Sequence, residues 1–430
     1  MSVFEVAGGR PLRGRVRAPG DKSVSHRALL LAALAEGTSH ITGLSTGDDV
    51  ARTADAVRQM GAGTEYVVEG GWATATVAGG RSRLHENAEP LDVGNSGTGM
   101  RLLAGVCASL PWKTTLVGDE SLGGRPMDRV ARPLRLMGAD VDGEGERVLP
   151  PLVVRGGGLH GIDYELPEPS AQVKGAVLLA GLGAEGDTVV RERVRTRAHT
   201  EEMLEVLGAD VEVAADGLTT RVRPGPLAPF DLDVPGDPSQ AAFWIVAACI
   251  TPGSDVVVER VYVGPARSAF LDVLARMGAR IEVAPCGGGF ADVRARYGPL
   301  HGTEVGGPEV PGLIDEIPVL AVAAAVADGP TTFADAGELR VKESDRVATI
   351  TSELSAVTGA VEPQADGLVV TGRAAPLRGG TVRSHGDHRI AMALAVAGLA
   401  GSEPVRIEGW EAVATSYPSF ERDLEALCGS

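Results

Sequence analysis

Ala18-Pro-Gly-Asp-Lys-Ser-Val-Ser-His-Arg27 carries the chain out of an extended run and into a helix, and five more turns of the same kind follow it. Pro19-Gly20 ends the extended run, Asp21 or Ser23 is placed to cap the helix, and Lys22 and Arg27 fall at or near its first turn. A helix start with unbonded backbone N–H groups and two cations nearby attracts anions. Alone, the stretch reads as a capped helix with solvated charges. Its recurrence is what gives it weight.

The six turns open helices that are apolar almost all round: Lys22–Ala35, Asn95–Leu110, Ser170–Leu182, Ser239–Ile250, Asp315–Ala327 and Asp387–Ala400. Their starts are 69 to 76 residues apart, a repeat rather than a coincidence. A helix without a polar face has to be buried. After each comes a Gly-containing turn and a short strand, as at Thr38–Thr42, Thr114–Val117, Thr188–Arg191, Asp255–Val261, Thr331–Ala334 and Pro404–Glu408. A second, amphipathic helix then closes on Met60-Gly-Ala, Met137-Gly-Ala, Leu207-Gly-Ala, Met277-Gly-Ala, Thr358-Gly-Ala or, last, Leu427-Cys-Gly. Glycine there is a C-cap, and strands resume at once. Each unit reads strand, helix, strand, helix, strands.

The six units fall into two threes. Arg15-Val-Arg-Ala-Pro-Gly-Asp21 is echoed by Leu232-Asp-Val-Pro-Gly-Asp237, with the prolines 216 residues apart, half the chain. Two similar domains are expected, with boundaries at these Pro-Gly-Asp turns: residues 19–235 as one, and residues 1–18 with 236–430 as the other. A single solenoid of six units would show no half-length marker.

The 430 residues carry 58 glycines, 44% hydrophobic and only 4% aromatic residues, which implies a core of small aliphatic side chains. A net charge of −17 excludes the broad basic surface that a nucleic-acid partner needs. Any anionic ligand must meet a local cluster of cations. Cys107, Cys249, Cys286 and Cys428 have neither CxxC spacing nor a nearby His, so no zinc site or disulfide framework is indicated and a reducing cytoplasm is expected. Apolar runs such as Ala241–Ile250 are too short to span a bilayer, and no signal-peptide core stands at the N-terminus.

The helix starts differ in what they carry. The first has Lys22, Ser23 and Arg27, the second Gly94-Asn-Ser-Gly-Thr-Gly-Met-Arg101, the third Ser170-Ala-Gln-Val-Lys174, the fifth Asp315-Glu316 and the sixth His385-Gly-Asp-His-Arg389; the fourth, Asp237-Pro-Ser-Gln240, has no cation. Second helices add Gly123-Gly-Arg125, Arg195-Thr-Arg197-Ala-His199 and Arg340-Val-Lys-Glu-Ser-Asp-Arg346. Equivalent positions in packed units put these turns on one face of each domain, and two such faces closing on a ligand would suit a substrate with several anionic groups. Gly20-Asp-Lys-Ser lacks the upstream Gly of a nucleotide phosphate loop, and no Gly-x-Ser-x-Gly turn supports a nucleophilic triad.

Taken in order, Pro19–Arg27, Gly94–Arg101, Arg125-Pro-Met, Ser170-Ala-Gln172, Arg197-Ala-His-Thr-Glu201, Ile314-Asp-Glu316, Arg340–Arg346 and Gly386-Asp-His-Arg389 resemble the 5-enolpyruvylshikimate-3-phosphate synthase family of enolpyruvyl transferases across nearly the whole chain. The resemblance implies an α/β fold of two similar domains, each of three βαβαββ units with buried parallel helices, an inside-out α/β barrel, joined by two crossovers. The strand before Pro19 would complete the C-terminal domain. It further implies transfer of the enolpyruvyl group of phosphoenolpyruvate to the 5-hydroxyl of shikimate 3-phosphate, with release of phosphate, by a cytoplasmic monomer without metal or organic cofactor. Ser23, Arg27, Ser170, Ala171, Gln172, Arg197, Asp315 and Lys342 would hold shikimate 3-phosphate; Lys22, Gly97, Arg125, Gln172, Arg346 and Arg389 would hold phosphoenolpyruvate. Asp315, Glu343 and Lys22 would be catalytic, Asp315 as base and Glu343 as acid. Neighbouring Lys342 and Arg346 lower a carboxyl pKa, so Glu343 is expected to become a competent acid only when substrate phosphates offset them. Gly97 resembles the position at which glyphosate-sensitive members lack a methyl group.

Two departures stand out. Thr415 replaces a Lys that some members carry, and Gly123-Gly124 replaces longer polar side chains. Other acceptors are the alternatives: a specialised metabolite, or a UDP-sugar, although that branch has a Cys in the loop Gly118–Arg125 and an Asn after the first Lys, where this chain has Ser23. A non-catalytic anion-binding scaffold is the third.

Overall fold

Asp21 accepts from the Val24 N–H at 2.9 Å, Ser96 from Gly99 at 3.0 Å and Ser170 from Val173 at 3.3 Å, so three helix starts are capped by the polar residues at their turns. Asp237 and Asp387 do the same for the fourth and sixth. In the computed structural model, which describes residues 2–69, 71–264 and 266–429, the six inner helices are Lys22–Leu34, Gly97–Ala108, Ala171–Gly181, Pro238–Ile250, Ile317–Val326 and His388–Leu399. Positions 1 and 430 of the expected domain boundaries lie outside the described residues. The chain divides into two compact units, Gly20–Val234 and Met1–Pro19 with Pro235–Ser430.

Burial follows the apolar pattern: all thirteen residues of Pro238–Ile250 and nine of the ten in Ile317–Val326 are buried. Aliphatic residues of small volume permit this, and the closest approach depends on one glycine. A Cβ at Gly105 would stand 2.2 Å from the Ala176 carbonyl oxygen, so helices Gly97–Ala108 and Ala171–Gly181 touch backbone to backbone. Around the inner helices lie six sheets, four of which take one strand from before a helix and three from after it. Asp163–Glu165 and Thr188–Arg191 pair in parallel across helix Ala171–Gly181, and antiparallel strands Thr219–Val222 and Val211–Val213 complete that sheet. Of the six sheets, that of Val3–Val6, Val405–Glu408 and Gly380–Arg383 has three described strands.

Besides Val3–Val6, which pairs antiparallel with Val405–Glu408, two strands pair across the halves of the sequence. Arg13–Val16 pairs in parallel with Asp255–Tyr262, whereas Asp231–Asp233 pairs in parallel with Gly37–Leu44. The outer helices end as their sequence suggests: Gly61, Gly138, Gly208, Gly278 and Gly359 all have positive φ, between 70° and 107°. The last differs: helix Phe420–Gly429 includes its glycine. Among the described residues no helix is long and apolar enough to cross a membrane.

Candidate active site

In the unit Gly20–Val234 the helix starts bond to one another. His26 bridges Thr53 Oγ1 at 2.7 Å and Ser96 Oγ at 3.3 Å, and the Gln172 amide donates to Thr98 Oγ1 at 2.7 Å. At the other end of the same helices, Arg81 donates to the Ser109 carbonyl at 3.2 Å, and a cavity of about 360 Å³ is lined by Leu34, Arg81, Leu182 and Leu227. The three helices therefore run parallel. That cavity is remote from the polar starts.

Lys22 pairs with Asp49, which the sequence reading did not single out although Gly47-Asp-Asp opens an outer helix. Arg27 is 2% exposed: Nε donates to Thr200 Oγ1 at 2.7 Å, Nη1 to the Ser23 carbonyl at 3.0 Å and Nη2 to the Ala171 carbonyl at 3.4 Å. Arg101 donates to Gln172 Oε1 at 2.7 Å, to the Gly97 carbonyl at 3.3 Å and to the Pro126 carbonyl at 3.2 Å. Arg125 donates to Asn95 Oδ1 at 2.8 Å, and the Asn95 amide donates to Asp119. Gly97 is buried beneath these groups, where a Cβ would stand 3.0 Å from Arg101 Nη1 and 3.3 Å from Arg125 Nη1. Ser170, Ala171, Gln172 and Arg197 are part-buried, with Ser23 and Lys22. Burial, then the charges of Lys22 and Arg27, holds the His26 imidazole well below its usual pKa, so His26 is a neutral tie between elements.

The other unit gathers carboxylates. Arg346, wholly buried, lies 2.8 Å from Asp387, 2.6 Å from Glu343 and 3.4 Å from Asp315. Arg389 donates to the Asp315 carbonyl at 3.3 Å, and its Nη2 is 3.9 Å from the Asp315 carboxylate. Burial pulls the Arg346 pKa down, but Asp387, Glu343 and Asp315 together more than offset it. Burial likewise pushes Asp387 up, and Arg346 outweighs it, leaving this carboxyl below its ordinary range. Lys342 is part-buried beside Glu343, at the end of the short helix Gly337–Val341. Arg340 turns elsewhere, to the Gln364 and Ala365 carbonyls and Asp345.

The fourth helix start, without a cation in the sequence pattern, receives one from the following segment. Arg267 is buried against Asp237 at 2.7 Å, Ser239 Oγ at 2.7 Å and Glu316 at 3.3 Å. Nothing in the sequence near Arg267 signals this; the partner arrives through the packing of one unit on the next.

The amine and guanidinium groups at the helix starts of Gly20–Val234 are equipped to bind anions, and, in the other unit, two part-buried carboxylates on a shared guanidinium are equipped to move protons. Comparison with known proteins agrees. The family model described as EPSP synthase (3-phosphoshikimate 1-carboxyvinyltransferase) matches residues 6–424. A 3-phosphoshikimate 1-carboxyvinyltransferase of Gloeobacter violaceus is 50% identical over 428 residues, 98% of each chain. One of Streptococcus equi subsp. zooepidemicus is 45% identical over 422 residues, 97% of this chain and 98% of that one. The solved EPSP synthase of Acinetobacter baumannii gives a TM-score of 0.86 at 42% identity, over 99% of this chain and 98% of that one.

Proposed function

Because the chain belongs to the EPSP synthase family, we propose that it transfers the enolpyruvyl group of phosphoenolpyruvate to the 5-hydroxyl of shikimate 3-phosphate and releases phosphate. The observation that carries the assignment of roles is the convergence of Asp315 and Glu343 on Arg346, at 3.4 and 2.6 Å. The reaction needs one group to accept the hydroxyl proton and another to protonate the methylene carbon.

In this reading Asp315 takes the proton from the 5-hydroxyl as its oxygen bonds to C2 of phosphoenolpyruvate. Glu343 gives a proton to C3, and a tetrahedral intermediate forms. The C2–O bond to phosphate then breaks while the new methyl group loses a proton, which restores the double bond. Arg346 sets both carboxylates in place. It also favours their charged forms, so the proton on Glu343 has to come with the bound anionic substrates, which offset the guanidinium.

Shikimate 3-phosphate is assigned to Ser23, Arg27, Ser170, Ala171, Gln172 and Arg197 of one unit and to Asp315 and Lys342 of the other. Phosphoenolpyruvate is assigned to Lys22, Gly97, Arg125 and Gln172, with Arg346 and Arg389. The hydroxyl and carbonyl oxygens that accept from Arg27 fix its guanidinium plane, and a fixed plane suits bidentate capture of a phosphate. We also assign the chain to the cytoplasm as a monomer; free thiols at Cys107, Cys249, Cys286 and Cys428 support the location.

Phosphate release from phosphoenolpyruvate, measured with shikimate 3-phosphate and in parallel with UDP-N-acetylglucosamine, tests the assignment. Release with the first acceptor alone is expected. Binding of both substrates without release would favour a scaffold, and release with only the second would move the chain to the UDP-sugar branch.

A further inference from the structure

Lys174 stands on the inner helix Ala171–Gly181, one turn from Ser170, whose carbonyl accepts its backbone N–H at 3.0 Å. Its side chain is 1% exposed, and a lysine so deep must be paired. The ammonium lies 2.6 Å from Glu192 Oε2 and 2.6 Å from Glu201 Oε1, and both carboxylates are buried as well. Two carboxyl groups and an amine are costly to bury together, and plain apolar side chains would fill the space at lower cost. Stability is therefore a poor reason for this cluster.

The positions of the two carboxylates suggest a better one. Glu192 follows strand Thr188–Arg191 and Glu201 opens the helix His199–Val206, so they bracket the connecting stretch that carries Arg197. Few backbone bonds fix that stretch. Side chains do so instead: the Thr196 hydroxyl donates to Glu192, and Thr200 Oγ1 accepts from Arg27 Nε at 2.7 Å. Lys174 thus fastens both ends of the Arg197 segment to the helix whose start presents Ser170 and Gln172.

We infer that Lys174 is a positioning residue for acceptor recognition: its two buried ion pairs hold the Arg197 segment in register with the Ser170 helix start and thereby set the grip on the anionic acceptor. The inference rests on the reading above that Ser170 and Arg197 hold shikimate 3-phosphate. A phosphate contact displaced by about 1 Å loses much of its strength, so the effect should fall on one substrate only.

The test is a double-mutant cycle in the full-length protein, with KM for each substrate and kcat read from phosphate release and melting followed in parallel. Arg197→Ala raises the KM for shikimate 3-phosphate. Lys174→Met raises the same KM about tenfold, with KM for phosphoenolpyruvate within about twofold, and the double variant is no worse than Arg197→Ala alone. Should Lys174→Met fail to fold, Lys174→Met/Glu192→Gln/Glu201→Gln removes all three charges together; it melts near the parent and still shows the raised acceptor KM. If Arg197→Ala raises the KM and Lys174→Met multiplies it further, or if the triple variant has the parent KM, Lys174 only supports the fold and the inference is overturned. If Arg197→Ala leaves the KM unchanged, the acceptor assignment itself fails, and the inference with it.

Discussion

The polar ends of the two units are built from the same repeat and hold their cations differently. In Gly20–Val234, Arg27 and Arg101 donate to hydroxyl, amide and carbonyl oxygens, which orient each guanidinium. In the other unit, Asp315, Glu343 and Asp387 surround Arg346, so the cation is spent on carboxylates. One scaffold occurs twice, and in the proposed reading its helix starts serve anion binding in one unit and proton transfer in the other. The difference is written in short polar substitutions at the turns, with the apolar helices behind them free to stay alike.

The sharpest way to break this comparison is through the carboxylates. Asp315→Asn and Glu343→Gln should each lower kcat by about 10²–10⁴-fold while titration of either substrate shows retained binding. Near-normal turnover in Glu343→Gln would take that residue out of the proton transfers. The next effect is on stability. Arg346→Met takes the guanidinium away from the buried Asp387 and should cost about 3–5 kcal/mol in denaturant unfolding. Arg101→Met in the other unit forfeits bonds to uncharged oxygens at a part-buried site and should cost only about 1–2 kcal/mol. Equal losses would mean that the two ends do not differ in the way proposed.

A smaller effect is expected at Gly97. A methyl group there crowds Arg101 and Arg125 by a few tenths of an ångström, and flexible guanidinium ends can yield. Gly97→Ala should therefore melt like the parent while binding of glyphosate, and to a lesser degree of phosphoenolpyruvate, weakens; equal inhibition of the two proteins would refute this. The smallest effect separates the units by pH. His26 has a folded pKa below its unfolded value near 6.5, so its contribution is complete above that value and is lost as pH falls, at no more than about 1.4 kcal/mol per pH unit. Asp387, also lowered, keeps its contribution until pH falls through the carboxylate range. Amide protection factors, taken relative to the intrinsic exchange rate at each pH, should fall between pH 6.5 and 5 in Gly20–Val234 first, and His26→Gln should flatten the change.

Much of the fold was legible because burial leaves a plain trace. A helix such as Pro238–Ile250 with no polar face has one place to go, and the glycines after the outer helices mark turns that only positive φ can make. The motif residues were legible as a set, but their partners were not. Asp49 beneath Lys22, Thr200 beside Arg27 and Arg267 at the fourth helix start are chosen by the register between repeats, which lies in three dimensions. Arg340 shows the converse: it belongs to a dense polar motif, yet its neighbouring hairpin offers carbonyls that draw it away from Arg346.

The strand exchange at the two crossovers has a consequence for synthesis and engineering. Arg13–Val16 is made long before its partner Asp255–Tyr262, and Val3–Val6 long before Val405–Glu408. The unit Gly20–Val234 can close its first sheet as soon as Asp231–Asp233 appears. These two strands are thus among the last to find their places, and both must stay soluble until their partners are made. Trimming or burdening the N-terminus should weaken the half of the molecule that lies farthest along the chain.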